Sequence, residues 1–89
     1  MTRTVTVYTK PDCARCVLTC LALDRAGIGY VAVDVDEDDA ARAFVVDELG
    51  YTAAPVVVVD QDPRVHWSGF RPDRITALAA SVEGPRRPG

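Results

Sequence analysis

Eighty-nine residues make one small domain, near the lower size at which burial alone stabilises a fold, and a 48% apolar content leaves material for a single core. No apolar run approaches the roughly 20 residues a spanning helix needs, which excludes a transmembrane role. A net charge of −3, with basic residues scattered along the chain, excludes an electrostatic footprint for nucleic acid and points to proteins or small thiols as partners.

Met1-Thr2-Arg3 lead directly into Thr4-Val5-Thr6-Val7-Tyr8, a β-rich alternation that predicts a strand. No apolar h-region or cleavage site precedes it, and three cysteines are an odd number for a secreted disulfide framework, so a reducing cytoplasm is the expected location. The strand runs into Thr9-Lys10-Pro11-Asp12-Cys13-Ala14-Arg15-Cys16, a turn carrying two cysteines with two residues between them. Thiols at this spacing on the first turn of a helix close a disulfide without large backbone movement, which makes the pair reversible. Unsatisfied N–H groups and the positive end of the helix dipole favour thiolate at Cys13, the expected nucleophile. Cys16, one turn deeper, is the expected resolving thiol, attacking the mixed disulfide that Cys13 forms. Lys10 and Arg15 bring positive charge near the sulfurs. A metal-binding module is the rival reading of Cys-x-x-Cys, holding zinc or an iron–sulfur cluster shared between two chains through Cys13. Tetrahedral zinc takes four ligands, however, and the chain offers only Cys20 and His66 beyond the pair. We therefore expect no metal, and no cofactor besides the redox-active Cys13–Cys16 disulfide itself.

From about Ala14 to Ala26 the pattern is helical, with Val17, Leu18, Leu21 and Leu23 at helical spacing and Gly27 placed as a C-terminal cap. Cys20 reads as a small core residue, since buried free cysteine behaves as a hydrophobe. Gly29 to Val35 predicts a second strand whose near-continuous apolar character suits a central position in a parallel pairing, making a β-α-β unit. Asp36-Glu37-Asp38-Asp39 reads as the capped, solvated first turn of a helix and not as a metal site. That helix runs to about Leu49, with Ala41, Phe44, Val45 and Leu49 inward, and stops at Gly50. Thr52 to Val59 places Pro55 at the start of a buried valine strand. Turn residues Asp60 to Arg64 then return the chain antiparallel through Val65-His66-Trp67-Ser68, in which His66 reads as an ordinary strand residue. Pro72 opens a third helix with Ile75, Leu78, Ala79 and Val82 inward, which ends the domain near residue 83 and leaves 84–89 as a disordered tail.

This order, β-α-β-α-β-β-α with a dithiol after the first strand and Pro55 before the third, resembles the thioredoxin superfamily, specifically the glutaredoxin-like NrdH-redoxins, over residues 4 to about 82. Three segments carry the resemblance: Val7-Tyr8-Thr9-Lys10-Pro11 leading into Cys13 and Cys16, Ala54-Pro55-Val56-Val57-Val58, and Trp67-Ser68-Gly69-Phe70-Arg71-Pro72-Asp73. It implies an α/β fold of the thioredoxin/glutaredoxin type, a central four-stranded mixed sheet flanked by three helices. It also implies a cis Ala54–Pro55 peptide facing the dithiol, whose neighbouring backbone groups can pair with an extended client as an added strand. Cys13 and Cys16 are then catalytic, and Lys10, Ala54, Pro55, Trp67, Ser68, Gly69, Phe70 and Arg71 contact the substrate. Two accounts of the last segment stay open. In one, Trp67 packs on the sheet while Ser68 and Arg71 tie the loop by hydrogen bonds; in the other, Trp67 and Phe70 form an exposed docking surface.

Glutaredoxins that hold glutathione typically have a Gly-Gly pair, a small or hydroxyl residue and an acid, which engage the γ-glutamyl end. The matching stretch here, Ser68-Gly69-Phe70-Arg71-Pro72, has one glycine and a proline near where the acid would lie, and Asp73 comes late. The resemblance therefore implies a monomeric thiol–disulfide oxidoreductase that draws electrons from thioredoxin reductase and passes them to the large subunit of class Ib ribonucleotide reductase. A glutathione-dependent glutaredoxin is the alternative. One departure stands out: Ala14-Arg15 lie between the cysteines where NrdH-redoxins usually have Val-Gln, which alters thiolate stability, redox potential or partner.

Overall fold

A computed structural model describes residues 4–83, the side chains of residues 81–83 excepted, so Val82's inward position and the tail at 84–89 lie outside the described residues. Strand periodicity sets the layering. β1 (Thr4–Thr9) sends Val5 and Val7 to one face of the sheet and Tyr8 to the other. It pairs in parallel with β2 (Gly29–Asp34) and antiparallel with β3 (Val56–Val59), which in turn pairs antiparallel with β4 (His66–Ser68). The strand order is β2-β1-β3-β4, the expected mixed four-stranded sheet.

All four valines of β3 are buried, because helices cover both faces there. Val57 and Val59 pack with Val5, Val7 and Leu23 beneath α1 (Ala14–Arg25) and α3 (Pro72–Glu83), whose Ile75 and Leu78 close that layer. Val56 and Val58 pack with Val35 and Val45 beneath α2 (Asp39–Ala43) and its π-helical continuation, Phe44–Glu48. At about 1.5–3 kcal/mol for each fully buried valine, β3 is the strand on which both layers depend.

β2 corrects one expectation. It lies at the sheet edge and leaves Val31 62% exposed, while β1 and β3 occupy the centre. An apolar run measures hydropathy and not the number of neighbours, and among the described residues only one side of the strand is paired.

The apolar stripe of α1 is also displaced from the one predicted. Val17, Leu18 and Leu21 are exposed, whereas Cys16, Thr19 and Leu23 are buried. Thr19 tolerates full burial because its hydroxyl donates to the Arg15 carbonyl at 2.8 Å, so a residue that hydropathy reads as polar faces the core with its polar atom satisfied. The helix ends as predicted at Gly27, with φ +75°. There Gly27 N–H donates to Asp24 and Ile28 N–H to Leu23, while the Ile28 and Leu23 side chains both join the core, the Schellman arrangement.

Asp38 caps α2, its carboxylate accepting the Ala41 N–H at 3.0 Å. Val45 is buried and Ala41, Phe44 and Leu49 partly so, as the periodicity predicts. The helix widens into a π turn before stopping at Gly50, φ +78°. Among the described residues no helix is long and apolar enough to cross a membrane.

Candidate active site

The turn between β1 and α1 places the cysteines. Asp12 takes a left-handed conformation, φ +55°, one that aspartate tolerates better than most residues, and this turns the chain so that Cys13 becomes the N-cap of α1. A capping side chain accepts an otherwise orphaned N–H of the first turn. Here the acceptor is sulfur: the Cys16 N–H donates to Cys13 Sγ at 3.1 Å. Cys13 and Cys16 are joined in a disulfide with their Cα atoms 5.2 Å apart. Cys13 is half-buried and reachable, whereas Cys16 is only 4% exposed. A donor aimed at sulfur stabilises the charged form, so the geometry favours thiolate at Cys13 in the reduced pair.

On one side of the turn a cleft of about 190 Å³ is lined by Tyr8, Lys10, Arg42, Tyr51 and Ala54, among others. The Ala54–Pro55 peptide is cis and the Pro55 side chain is buried. Burial pushes the Tyr8 hydroxyl above its ordinary range, with the carboxylates of Asp60 and Asp38 acting in the same direction. On the other side a shallower depression of about 700 Å³ is lined by Lys10, Cys13, Cys16, Val17, Cys20 and Tyr30. The two surfaces meet at Lys10, an exposed residue common to both. Arg15 is exposed on α1.

Cys20 packs against the core cluster while remaining partly exposed in the second depression. Burial pushes its thiol up, its hydrogen bond with Tyr30 acts the opposite way, and Asp24 adds to the upward shift. It is thus held as a neutral thiol, in keeping with a packing residue.

The segment after β3 behaves differently from the docking account. Trp67 pairs with Val57 and is 3% exposed, so its ring belongs to the core and presents no surface. Its Nε1 is buried and, among the described residues, finds no hydrogen-bond partner, and the Arg74 guanidinium lies 5.9 Å from the ring centroid. Phe70 is partly buried against the same core and borders the groove between α1 and α3, away from Ala54. The loop-tying account fits the others. Ser68 Oγ donates to the Ala53 carbonyl at 2.9 Å, and the Gly69 N–H donates to the Pro55 carbonyl at 2.8 Å, so both act on the cis-proline segment. Arg71 grips Asp73 with two hydrogen bonds, at 3.1 and 2.8 Å, which hold the Asp73 carboxyl below the usual carboxylate range.

Of the predicted residues, the structure brings Lys10, Ala54, Pro55, Ser68 and Gly69 to the cleft or to the segment that walls it. Phe70 and Arg71 stand apart. Sequence reasoning missed Tyr8, Arg42 and Tyr51 as cleft residues, because each projects from a different element and no spacing relates them. It also gave His66 no role, yet the Tyr51 hydroxyl lies 2.8 Å from its Nδ1.

Comparison with known proteins agrees with this geometry. The family model described as Glutaredoxin matches residues 5–63. The glutaredoxin-like protein NrdH of Escherichia coli K12 is 36% identical over 75 residues, covering 83% of this chain and 86% of that protein. The Gene 56 protein of Mycobacterium phage D29 is 35% identical over 75 residues, covering 83% and 80%. Among solved structures, the NrdH-redoxin of E. coli, a glutaredoxin-like protein with a thioredoxin-like activity profile, superposes with a TM-score of 0.72 at 35% identity, over 84% of this chain and 93% of that one.

Proposed function

The chain belongs to the glutaredoxin family as an NrdH-like dithiol–disulfide redoxin, and from that premise we propose that thioredoxin reductase supplies its electrons and the large subunit of a class Ib ribonucleotide reductase receives them. The observation that carries the choice of donor is the Arg71–Asp73 pair. Asp73 is the nearest acid to the position from which glutathione-binding members engage the γ-glutamyl end, and here it is already engaged by Arg71. One glycine stands where two are usual, and the Ser68 hydroxyl is committed to Ala53. The thioredoxin-like activity profile of the E. coli relative supports the same donor.

In the proposed cycle the Cys13 thiolate attacks one sulfur of the client disulfide. The client S–S bond breaks, a Cys13–client disulfide forms, and the released client sulfur takes up a proton. Cys16, deprotonated, then attacks Cys13 Sγ, forming the Cys13–Cys16 disulfide and releasing the second client thiol. Two electrons and two protons pass to the client, and thioredoxin reductase restores the dithiol by the reverse exchange. The disulfide is the only electron carrier this requires. An extended client lies along the cleft beside Ala54 and Pro55, near Lys10, and the protein acts as a monomer in the cytoplasm.

The test is NADPH oxidation with insulin as the disulfide, coupling this protein either to thioredoxin reductase or to glutathione with glutathione reductase. Turnover only with thioredoxin reductase is the expected result, followed by reduction of oxidised ribonucleotide reductase. Turnover only with glutathione would overturn the donor assignment.

A further inference from the structure

Pro55 and the residues just before it form no strand of their own, since β3 begins at Val56. This segment is held instead by two alternate positions of β4, His66 and Ser68, and by Gly69 just after the strand. Gly69 N–H donates to the Pro55 carbonyl, Ser68 Oγ donates to the Ala53 carbonyl, and His66 meets Tyr51. The last contact is the only one of the three made to a side chain of the cleft. Tyr51 follows Gly50 at the end of the π turn, where its N–H donates to the Val45 carbonyl. Its ring stands edge-on to the imidazole at 5.5 Å between centroids and 75° between planes, and its hydroxyl reaches Nδ1 at 2.8 Å. His66 itself is half-buried on β4, in register with Val58, and does not line the cleft.

We propose that His66 is a positioning residue for client binding, acting through Tyr51 to fix the wall of the cleft beside the cis proline. Tyr51 lies in no strand or helix and projects its ring into the cleft, so an unheld ring would sample several rotamers and close or widen a cleft of only about 190 Å³. The imidazole Nδ1 and the phenol oxygen share one hydrogen bond, and the edge-to-face ring contact restrains the same side chain, so one residue fixes both the ring and its hydroxyl. Holding the wall in its bound form beforehand lowers the ordering cost of docking and leaves the sulfur chemistry at Cys13 untouched. His66 therefore sets client affinity and not the rate of disulfide exchange. This rests on the reading that a client lies along the cleft beside Pro55.

The experiment uses the full chain, prereduced and freed of reductant, in single-turnover stopped flow, so no reductase enters. Two oxidants are compared: a fluorescent peptide disulfide long enough to fill the cleft, and 2-hydroxyethyl disulfide, which is not. His66→Leu and Tyr51→Phe should each raise the half-saturating peptide concentration by about five- to tenfold. For His66→Leu, at a position that does not line the cleft, the maximal rate and the rate with the small disulfide should stay within about twofold of the parent. His66→Asn, whose amide group sits where Nδ1 does and can meet the phenol, should restore most of the peptide affinity, and the double variant His66→Leu/Tyr51→Phe should add little to either single change. Unchanged peptide saturation in both single variants, or equal losses on both oxidants, would overturn the proposal. A parent protein that shows no saturation with the peptide would instead overturn the docking reading beneath it.

Discussion

The turn that carries Cys13 and the segment that precedes β3 are held in opposite ways. The turn from Asp12 to Cys16 is held from within: Asp12 sets the reversal, Cys13 caps its own helix, and the donor that meets its sulfur lies three residues on. The segment from Tyr51 to Pro55 is held from outside, by His66, Ser68 and Gly69, 14 to 15 residues further along the chain. Under the proposed function, chemistry depends on local structure, whereas client docking depends on tertiary hydrogen bonds from β4 and Gly69. Substitutions in the first segment should change reactivity toward every disulfide, and those in the second should change saturation by peptides alone.

The largest expected effect lies in the first segment. Cys13→Ser should reduce turnover to the uncatalysed background with peptide and small disulfide alike, measured by NADPH oxidation; substantial turnover on either would break the division of roles. Asp12→Val places a β-branched side chain at φ +55° and should destabilise the fold by about 1–2 kcal/mol, whereas Asp12→Gly should be neutral or slightly stabilising. Urea titration of the three proteins distinguishes them, and equal stability of the valine variant would mean that the turn is not set where we place it. Ser68→Ala should cost about 0.5–1 kcal/mol, seen as a fall of a few degrees in Tm, and should raise the half-saturating peptide concentration with little change in the small-disulfide rate. A change in both rates would merge the two segments into one functional unit.

The same contrast explains what was legible in the sequence. Local signals carried well: the alternation of β1, the Asp38 cap, the Gly27 and Gly50 stops and the valine run of β3 each depend on neighbours within a few residues. The sulfur pair and its position at a helix N-terminus were equally local. Placement failed where it depends on what a distant element covers. The apolar run of β2 gave no sign that, among the described residues, its outer side has no partner strand. The leucines of α1 drew attention away from Thr19, whose burial requires a satisfied hydroxyl and not hydrophobicity. For Trp67 the sequence left packing on the sheet and exposed docking both open, and β4 pairing decides for the core. His66 looked ordinary because nothing in its own segment announces Tyr51, 15 residues earlier.

The most direct test of the account is mass spectrometry of the Cys16→Ser protein after reaction with an oxidised client, read by peptide mapping. Removing the buried, resolving thiol should leave the first exchange intact and stop the second, so one client chain should accumulate in disulfide linkage to Cys13, with Cys20 free. No covalent adduct, or an adduct carried on Cys20, would contradict it.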